Sequence, residues 1–507
     1  MSKKQLIQST IILTFANLFT KFLGFYYRIY MSEAIGAEGM GLYQLIMPLY
    51  ALAWSVTSSG FTTTVSRLTA RESARGETGN MGRIVKQALG MCLVLSAAAG
   101  AILFFGAEQI SAGILHDGRA ALSLRLLAFA IPLMAAGSCL RGFFMGLQQM
   151  QVPALSQVLE QIVRLLTIFL LADLFVPLGL SYACFAAVCG IFAGETLSFG
   201  FTLFSYLRFK RRRKLIKRPS LSSRSAAFVI LSMALPLAAT RISSSLLSAA
   251  ENILIPGRLQ AYGYSAEKSL ALYGELTGMA MPLLLLPSAF LMAASTSLVP
   301  EITQSCAAGQ SRRLSRTVSA SLLFTSVISV GAACFFAVFP KEICYLIYGK
   351  PELGRLLLPL AFLCPLLYGQ TTLSGLLNGL GEHIFLFWSH ILSSAITIAF
   401  VWFAMPIYGI SAFLAGWFLS LLLTTALALL RLKGATGGMP SPLSCLGKPL
   451  LAGLGTALPI RFLILNGTPS KPFFLLTFSG MGLLYLLLLF LLGCLSKETL
   501  FPSGKSL

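Results

Sequence analysis

The chain has 507 residues, 56% of them hydrophobic and only 11% charged, with a mean hydropathy of +0.81. Soluble domains are about a quarter charged, so a soluble globular fold is excluded, and runs such as Leu483–Gly493 exclude the short alternating strands of a β-barrel. The formal charge of +21 suggests nucleic-acid binding, but the basic residues collect in alternate loops between apolar runs, which is membrane topology rather than a polyanion-binding face.

Apolar runs of about 20 residues, each long enough to cross a hydrocarbon core of about 30 Å, recur from end to end. The first lies near 5–31. Its basic start (Lys3, Lys4) resembles a signal peptide, but Lys21 interrupts the run and no small-residue cleavage site closes it, so it reads as a span. Lys21 and Arg28 are seven residues apart, nearly the same face at about 100° per residue. Asn17 extends that polar stripe, and Phe19, Phe22, Phe25 and Tyr26 cover other directions.

Further spans are expected near 41–68, 84–107, 120–147, 152–176 and 180–207. Arg67 and Arg141 stand near the ends of theirs, where a long side chain can reach the interface. The fifth span carries Glu160 and Arg164 at i, i+4, the spacing of an intrahelical ion pair. The run RFKRRRKLIKRPSLSSR (Arg208–Arg224) then reads as a topology anchor and linker, with a lipid- or nucleic-acid-binding patch as the alternative. Spans follow near 226–255, 271–299, 315–339, 355–379, 384–405, 408–431, 444–465 and 473–495. The seventh repeats the pattern of the first: Arg241, Ser245, Ser248 and Asn252 fall on one face, with Glu251 beside it. Arg241 and Glu251 are about 15 Å apart along a straight helix, too far to neutralise each other.

The expected fold is thus all-α and polytopic, with about fourteen transmembrane helices. Loop charges set the orientation. Lys3 and Lys4, then Arg71, Arg75, Arg83 and Lys86, the basic linker, Arg312, Arg313 and Arg316, Arg431, Lys433 and Lys448, and finally Lys497 and Lys505 all fall on one side. Opposite them stand only Arg119, Arg125, Arg258, Lys268, Lys341, Lys350, Arg355, Arg461 and Lys471, so both termini are expected in the cytoplasm.

The two halves look alike. Pro132, Gly142, Gly146 and Leu147 recur 233 positions later as Pro365, Gly375, Gly379 and Leu380, and the same offset lays Thr62–Leu68 over Ser295–Glu301. Six spans separate the copies, which makes them parallel repeats. The expected organisation is a first lobe at 1–207, a basic cytoplasmic linker at 208–225, a second lobe at 226–433, and two further spans in 434–507. A central cavity between the six-helix lobes follows from the repeat, and each GxxxG is read as a close-packing contact.

An ionisable side chain at mid-bilayer costs at least about 2.5–3.5 kcal/mol, so it faces water or a partner. Lys21, Arg28 and Arg241 lack an obvious acidic partner in sequence; any one of them can snorkel or pair across helices. Two opening helices with the same cationic stripe point instead to a site for phosphate or pyrophosphate, with Asn17, Ser245, Ser248 and Asn252 alongside. Glu251 is the candidate carboxylate if transport is coupled to an ion. No phosphate-binding GxxxxGK[ST] or zinc-binding HExxH motif occurs, so neither ATP hydrolysis nor zinc chemistry is indicated. The ten cysteines are scattered singly, and His116, His383 and His390 make no cluster, so no metal, cofactor or disulfide framework is expected.

Gly41–Tyr50, Ser66–Gly76, Leu140–Arg164, Thr240–Pro256 and Leu272–Pro287 resemble the stage V sporulation protein B group. That group lies in the polysaccharide-transporter branch of the multidrug/oligosaccharidyl-lipid/polysaccharide exporter superfamily. The resemblance implies two six-helix lobes about a central cavity with two extra C-terminal helices, in the bacterial cell membrane. It also implies a flippase rather than an enzyme, moving an undecaprenyl-pyrophosphate-linked saccharide, lipid II or a related spore-cortex precursor, outward by alternating access. Its partners would be that anionic lipid-linked glycan, membrane lipids and, for some members, cell-wall synthesis enzymes, with no nucleic acid. The lipid II flippases of this superfamily have a similar first-helix pattern, their first cation falling on Lys21 and their second on the position of Tyr27, one residue before Arg28. A cation-coupled multidrug exporter and a non-transporting cell-wall scaffold are the alternatives.

Overall fold

The computed structural model describes residues 3–212, 222–436, 443–464 and 471–494. The middle of the basic linker, 213–221, and the C-terminal Lys497 and Lys505 lie outside the described residues. Every regular element among the described residues is helical. Among the described residues, eight helices are long and apolar enough to cross a membrane, or nine if one bent pair counts as a single span.

The chain divides into two compact units, Met1–Gly278 and Met279–Leu507. The first holds α1 (Lys3–Ala34), α2 (Gly36–Trp54), α3 (Gly60–Ala74), α4 (Thr78–Phe105) and α5 (Ala121–Gly146). It continues with α6 (Gln151–Phe175), α7 (Leu180–Arg212), α8 (Ser223–Ala261) and the short α9 (Ala266–Tyr273). Apolar residues of α3, α4, α5 and α7 meet in one core, including Val65, Ile84, Leu140, Phe143, Phe144 and Tyr206. Phe143 packs edge-to-face on Tyr206 with ring centroids 5.2 Å apart, the geometry that aromatic quadrupoles favour. Ile230 and Ala234 of α8 join this core, which ties the helix after the linker to the first unit. At 39 residues, α8 is about 58 Å long and overruns the bilayer core.

The second unit holds α10 (Met281–Leu285), α11 (Ser288–Ala307), α12 (Ser311–Val338), α13 (Pro340–Tyr348), α14 (Gly354–Ala361) and α15 (Cys364–Gly379). After these come α16 (His383–Ala399), α17 (Ile410–Thr436), α18 (Lys448–Ile464) and α19 (Lys471–Leu491). Its core joins α11, α12, α15 and α17 through Ile302, Val318, Leu373, Leu376, Leu377 and Leu432. The last two helices lie on α12, where the Tyr485 hydroxyl donates to the Val327 carbonyl at 2.8 Å.

Several apolar runs are not straight helices. The run near 41–68 passes from α2 into α3 through a wide π turn at Ser55–Ser59, and the run near 271–299 contains another at Gly274–Ala280. In the first, the hydroxyls of Ser55, Thr57 and Ser59 donate to the carbonyls of Leu52, Ala53 and Ser55, a side-chain competition that loosens a helix. The run near 355–379 bends by 55° between α14 and α15. Pro359 inside α14 and Pro365 at the start of α15 remove two backbone donors there.

The 233-residue offset is visible in the packing of each unit. A Cβ on Gly142 would lie 2.5 Å from the Thr62 carbonyl oxygen and one on Gly146 2.4 Å from that of Ser66. In the second unit, a Cβ on Gly375 would lie 2.8 Å from Ser295 Cβ and one on Gly379 3.3 Å from the Val299 carbonyl oxygen. Both GxxxG pairs therefore seat on the matching stretch of the matching helix. Left-handed turn residues also correspond: His116 and Gly349 (φ 55° and 68°), and Gln148 and Gly381 (φ 58° and 82°).

Candidate functional site

All the sequence-derived site residues fall in the first unit. On α1, Asn17 and Lys21 are exposed, and no hydrogen bond or ion pair joins Lys21 to another described residue. Tyr27 turns inward and packs against Tyr43 with ring centroids 6.4 Å apart, which leaves Arg28 half-buried on the flank. Its Nη1 donates to the Thr277 carbonyl at 3.4 Å, and Gln44 Nε2 donates to the same oxygen at 2.9 Å. Arg28 thus has a neutral partner rather than none. Thr277 lies in the Gly274–Ala280 π turn, where the altered ladder leaves a carbonyl open to side chains.

On α8, Arg241 is exposed and its guanidinium carbon lies 5.7 Å from the centroid of Trp54. Ser245, Ser248, Glu251 and Asn252 are half-buried. Asn252 Nδ2 donates to the Ser248 carbonyl at 2.8 Å, and Tyr273 Oη donates to Asn252 Oδ1 at 3.3 Å. A weaker contact of 3.5 Å runs from Tyr273 Oη to the Gln44 carbonyl. The structure therefore brings Arg28 and Asn252 into one polar network with Gln44, Tyr273 and Thr277. Lys21, Arg241 and Glu251 stand outside it. Gln44 was detectable in sequence as a lone amide in an apolar run; Tyr273 and Thr277 gave no local signal.

Glu160 and Arg164 form an ion pair of 2.8 Å, both largely buried. It is part of a larger polar interior: Tyr50 donates to Glu195 at 2.6 Å, and Glu195 is buried. Arg141, read from sequence as an interfacial anchor, instead donates to Ser198 at 2.9 Å and Ser138 at 2.7 Å. Gly194 lets this interior close, since a Cβ there would meet the Glu160 carbonyl oxygen at 2.8 Å. Among the described residues no group of three or more His, Cys, Asp or Glu is placed to hold a metal ion.

Chemically, Lys21 and Arg241 present N–H donors that form no ion pair with another described residue, and Arg28 adds donors beyond the one that meets Thr277. Such a set suits oxyanions, which accept several charge-assisted hydrogen bonds.

Residues 6–306 match the family described as polysaccharide biosynthesis protein, and residues 261–403 match the MatE family. The chain is 31% identical over 386 residues to stage V sporulation protein B of Bacillus subtilis (strain 168), covering 75% of this chain and 74% of that protein. It is 26% identical over 416 residues to the lipid II flippase MurJ of the same organism, covering 76% and 74%. Among solved structures, a lipid II flippase MurJ in an inward closed conformation superposes with a TM-score of 0.70 at 16% identity, over 94% of this chain and 98% of that one.

Proposed function

Because this chain belongs to the polysaccharide biosynthesis protein family, we propose that it is a flippase for an undecaprenyl-pyrophosphate-linked saccharide, lipid II or a related cell-wall or spore-cortex precursor. Transport runs from the inner to the outer leaflet by alternating access. The observation that carries this reading is the set Lys21, Arg28 and Arg241, cationic side chains on apolar helices that form no ion pair with another described residue. A charge left so in a membrane is costly, and a pyrophosphate headgroup relieves that cost during passage.

The finer layout belongs to the same proposal and rests on the repeat, the loop charges and the resemblance. It comprises fourteen spans, a lobe at 1–207 and a lobe at 226–433 about a cavity, two added C-terminal helices, and both termini in the cytoplasm. The cell interior is electrically negative, so each headgroup charge moved outward gains about 2.3 kcal/mol per 100 mV. Release then requires a few accessible cations rather than a closed cage.

The test is outward movement of a labelled pyrophosphate lipid in proteoliposomes containing the full chain. Replacing Lys21, Arg28 and Arg241 together by Gln is expected to lower the rate at least tenfold with unchanged protein insertion. An unchanged rate in the triple variant overturns the proposal. The MatE match over residues 261–403 favours one second reading, a cation-coupled exporter that uses Glu251. That reading is distinguished by dye efflux that depends on Glu251 and not on Arg28.

A further inference from the structure

The arginines of the first unit differ in what their N–H groups meet. Arg164 is engaged by Glu160, Arg141 by two serine hydroxyls, Arg119 by Glu38 and Asp117, and Arg28 by a carbonyl. Arg241 differs from these four. It forms no hydrogen bond or ion pair with another described residue, yet its position is held by the face of Trp54. Nearby hydroxyls do not compete for it: Thr240, Ser243 and Ser244 each donate to carbonyls of their own helix.

An aromatic face attracts a guanidinium through the ring quadrupole and occupies only a face of the cation. The N–H groups lie in the guanidinium plane and stay open. A carboxylate in the same place would orient Arg241 by engaging those donors and would repel an incoming anion. The geometry points to Trp54 as a positioning residue that holds Arg241 with its donors open for an anion presenting paired oxygens, the pyrophosphate of the proposed substrate; this rests on the reading of Arg241 as part of an anion site.

The backbone around Trp54 is built for that role. The residue closes α2 immediately before the Ser55–Ser59 π turn, whose hydroxyls are tied to local carbonyls. Just beyond the turn, Gly60 comes so close to α8 that a Cβ there would lie 2.5 Å from the Ala234 carbonyl oxygen and 3.1 Å from Ala238 Cβ. Ala238 and Arg241 are one turn apart on α8, so the glycine contact fixes the separation at which Trp54 meets the guanidinium. Without the extra residue of the π turn, every side chain of α2 would rotate relative to α3 and α8.

The experiment measures binding of inorganic pyrophosphate to the purified full chain in nanodiscs, by calorimetry, for Trp54→Leu, Trp54→Phe, Arg241→Gln and Trp54→Leu/Arg241→Gln. Leucine keeps an apolar filler without a π face. The expected result is that Arg241→Gln weakens binding about tenfold and Trp54→Leu about two- to fivefold. Trp54→Phe stays near the unsubstituted protein, and the double variant is no weaker than Arg241→Gln alone. Binding unchanged by Trp54→Leu overturns the inference, as does a Trp54→Leu effect of the same size in the Arg241→Gln background. If Lys21→Gln and Arg28→Gln weaken binding while Trp54→Leu does not, the anion site stands and only the positioning role falls. If no cation variant changes binding, the anion site itself falls.

Discussion

What an arginine contributes depends on its neighbours, and Arg164 and Arg241 mark the two ends of the range. Arg164 is buried against Glu160, with side-chain exposures of 15% and 13%, so removing one partner leaves an uncompensated charge. Arg164→Met is expected to destabilise the protein by about 3–5 kcal/mol. Converting Glu160 to Gln in that background should recover most of the loss, because neither charge then remains. Thermal unfolding in detergent checks the ordering; equal destabilisation of the single and double variants would show that Glu160 is satisfied some other way. Arg241, exposed and over the Trp54 ring, should tolerate Gln with little change in unfolding temperature, so a transport defect there reports function rather than folding.

At the scale of elements, small residues and π turns set how closely helices approach. A Cβ on Gly142 would meet a backbone carbonyl oxygen at 2.5 Å, whereas one on its repeat counterpart Gly375 would meet the side chain of Ser295 at 2.8 Å. A backbone oxygen cannot move aside without shifting α3, but a serine can be removed. Gly142→Ala is therefore expected to be the more damaging of the two, within the range of about 1–3 kcal/mol usual for overpacking. Ser295→Gly should restore the stability of Gly375→Ala, and unfolding temperatures of the three variants decide it. The same two glycine pairs show how a repeat keeps its contacts while its sequence drifts: the offset is retained, while the nearest atom changes from a carbonyl oxygen (Thr62, Ser66) to a side-chain carbon (Ser295, Ile302).

At the scale of the molecule, the proposed function predicts that cargo movement responds to the membrane potential. If the moving headgroup carries net negative charge and the cations stay with the protein, a potential of 100 mV, negative inside, should shift the outward equilibrium by about fifty-fold per charge. Potassium-diffusion potentials imposed on proteoliposomes of the full chain measure this. A distribution indifferent to the potential would mean that a counter-ion crosses with the headgroup.

Composition and periodicity alone determined the all-helical membrane class, and residue-by-residue likeness determined the family, because both are summed over hundreds of positions. Helical spacing also placed Glu160 within reach of Arg164, since that geometry is local. The partners of Arg28 and Arg241 were decided only by the tertiary structure. The stripe of Lys21 and Arg28 reads as one face, yet packing exposes the first and sets the second against a carbonyl supplied from residue 277. Trp54 lies under Arg241 because a π turn and a glycine contact bring α2 and α8 together. Spacing along a helix says which residues share a face; what that face meets depends on segments distant in the chain, and only their packing decides it.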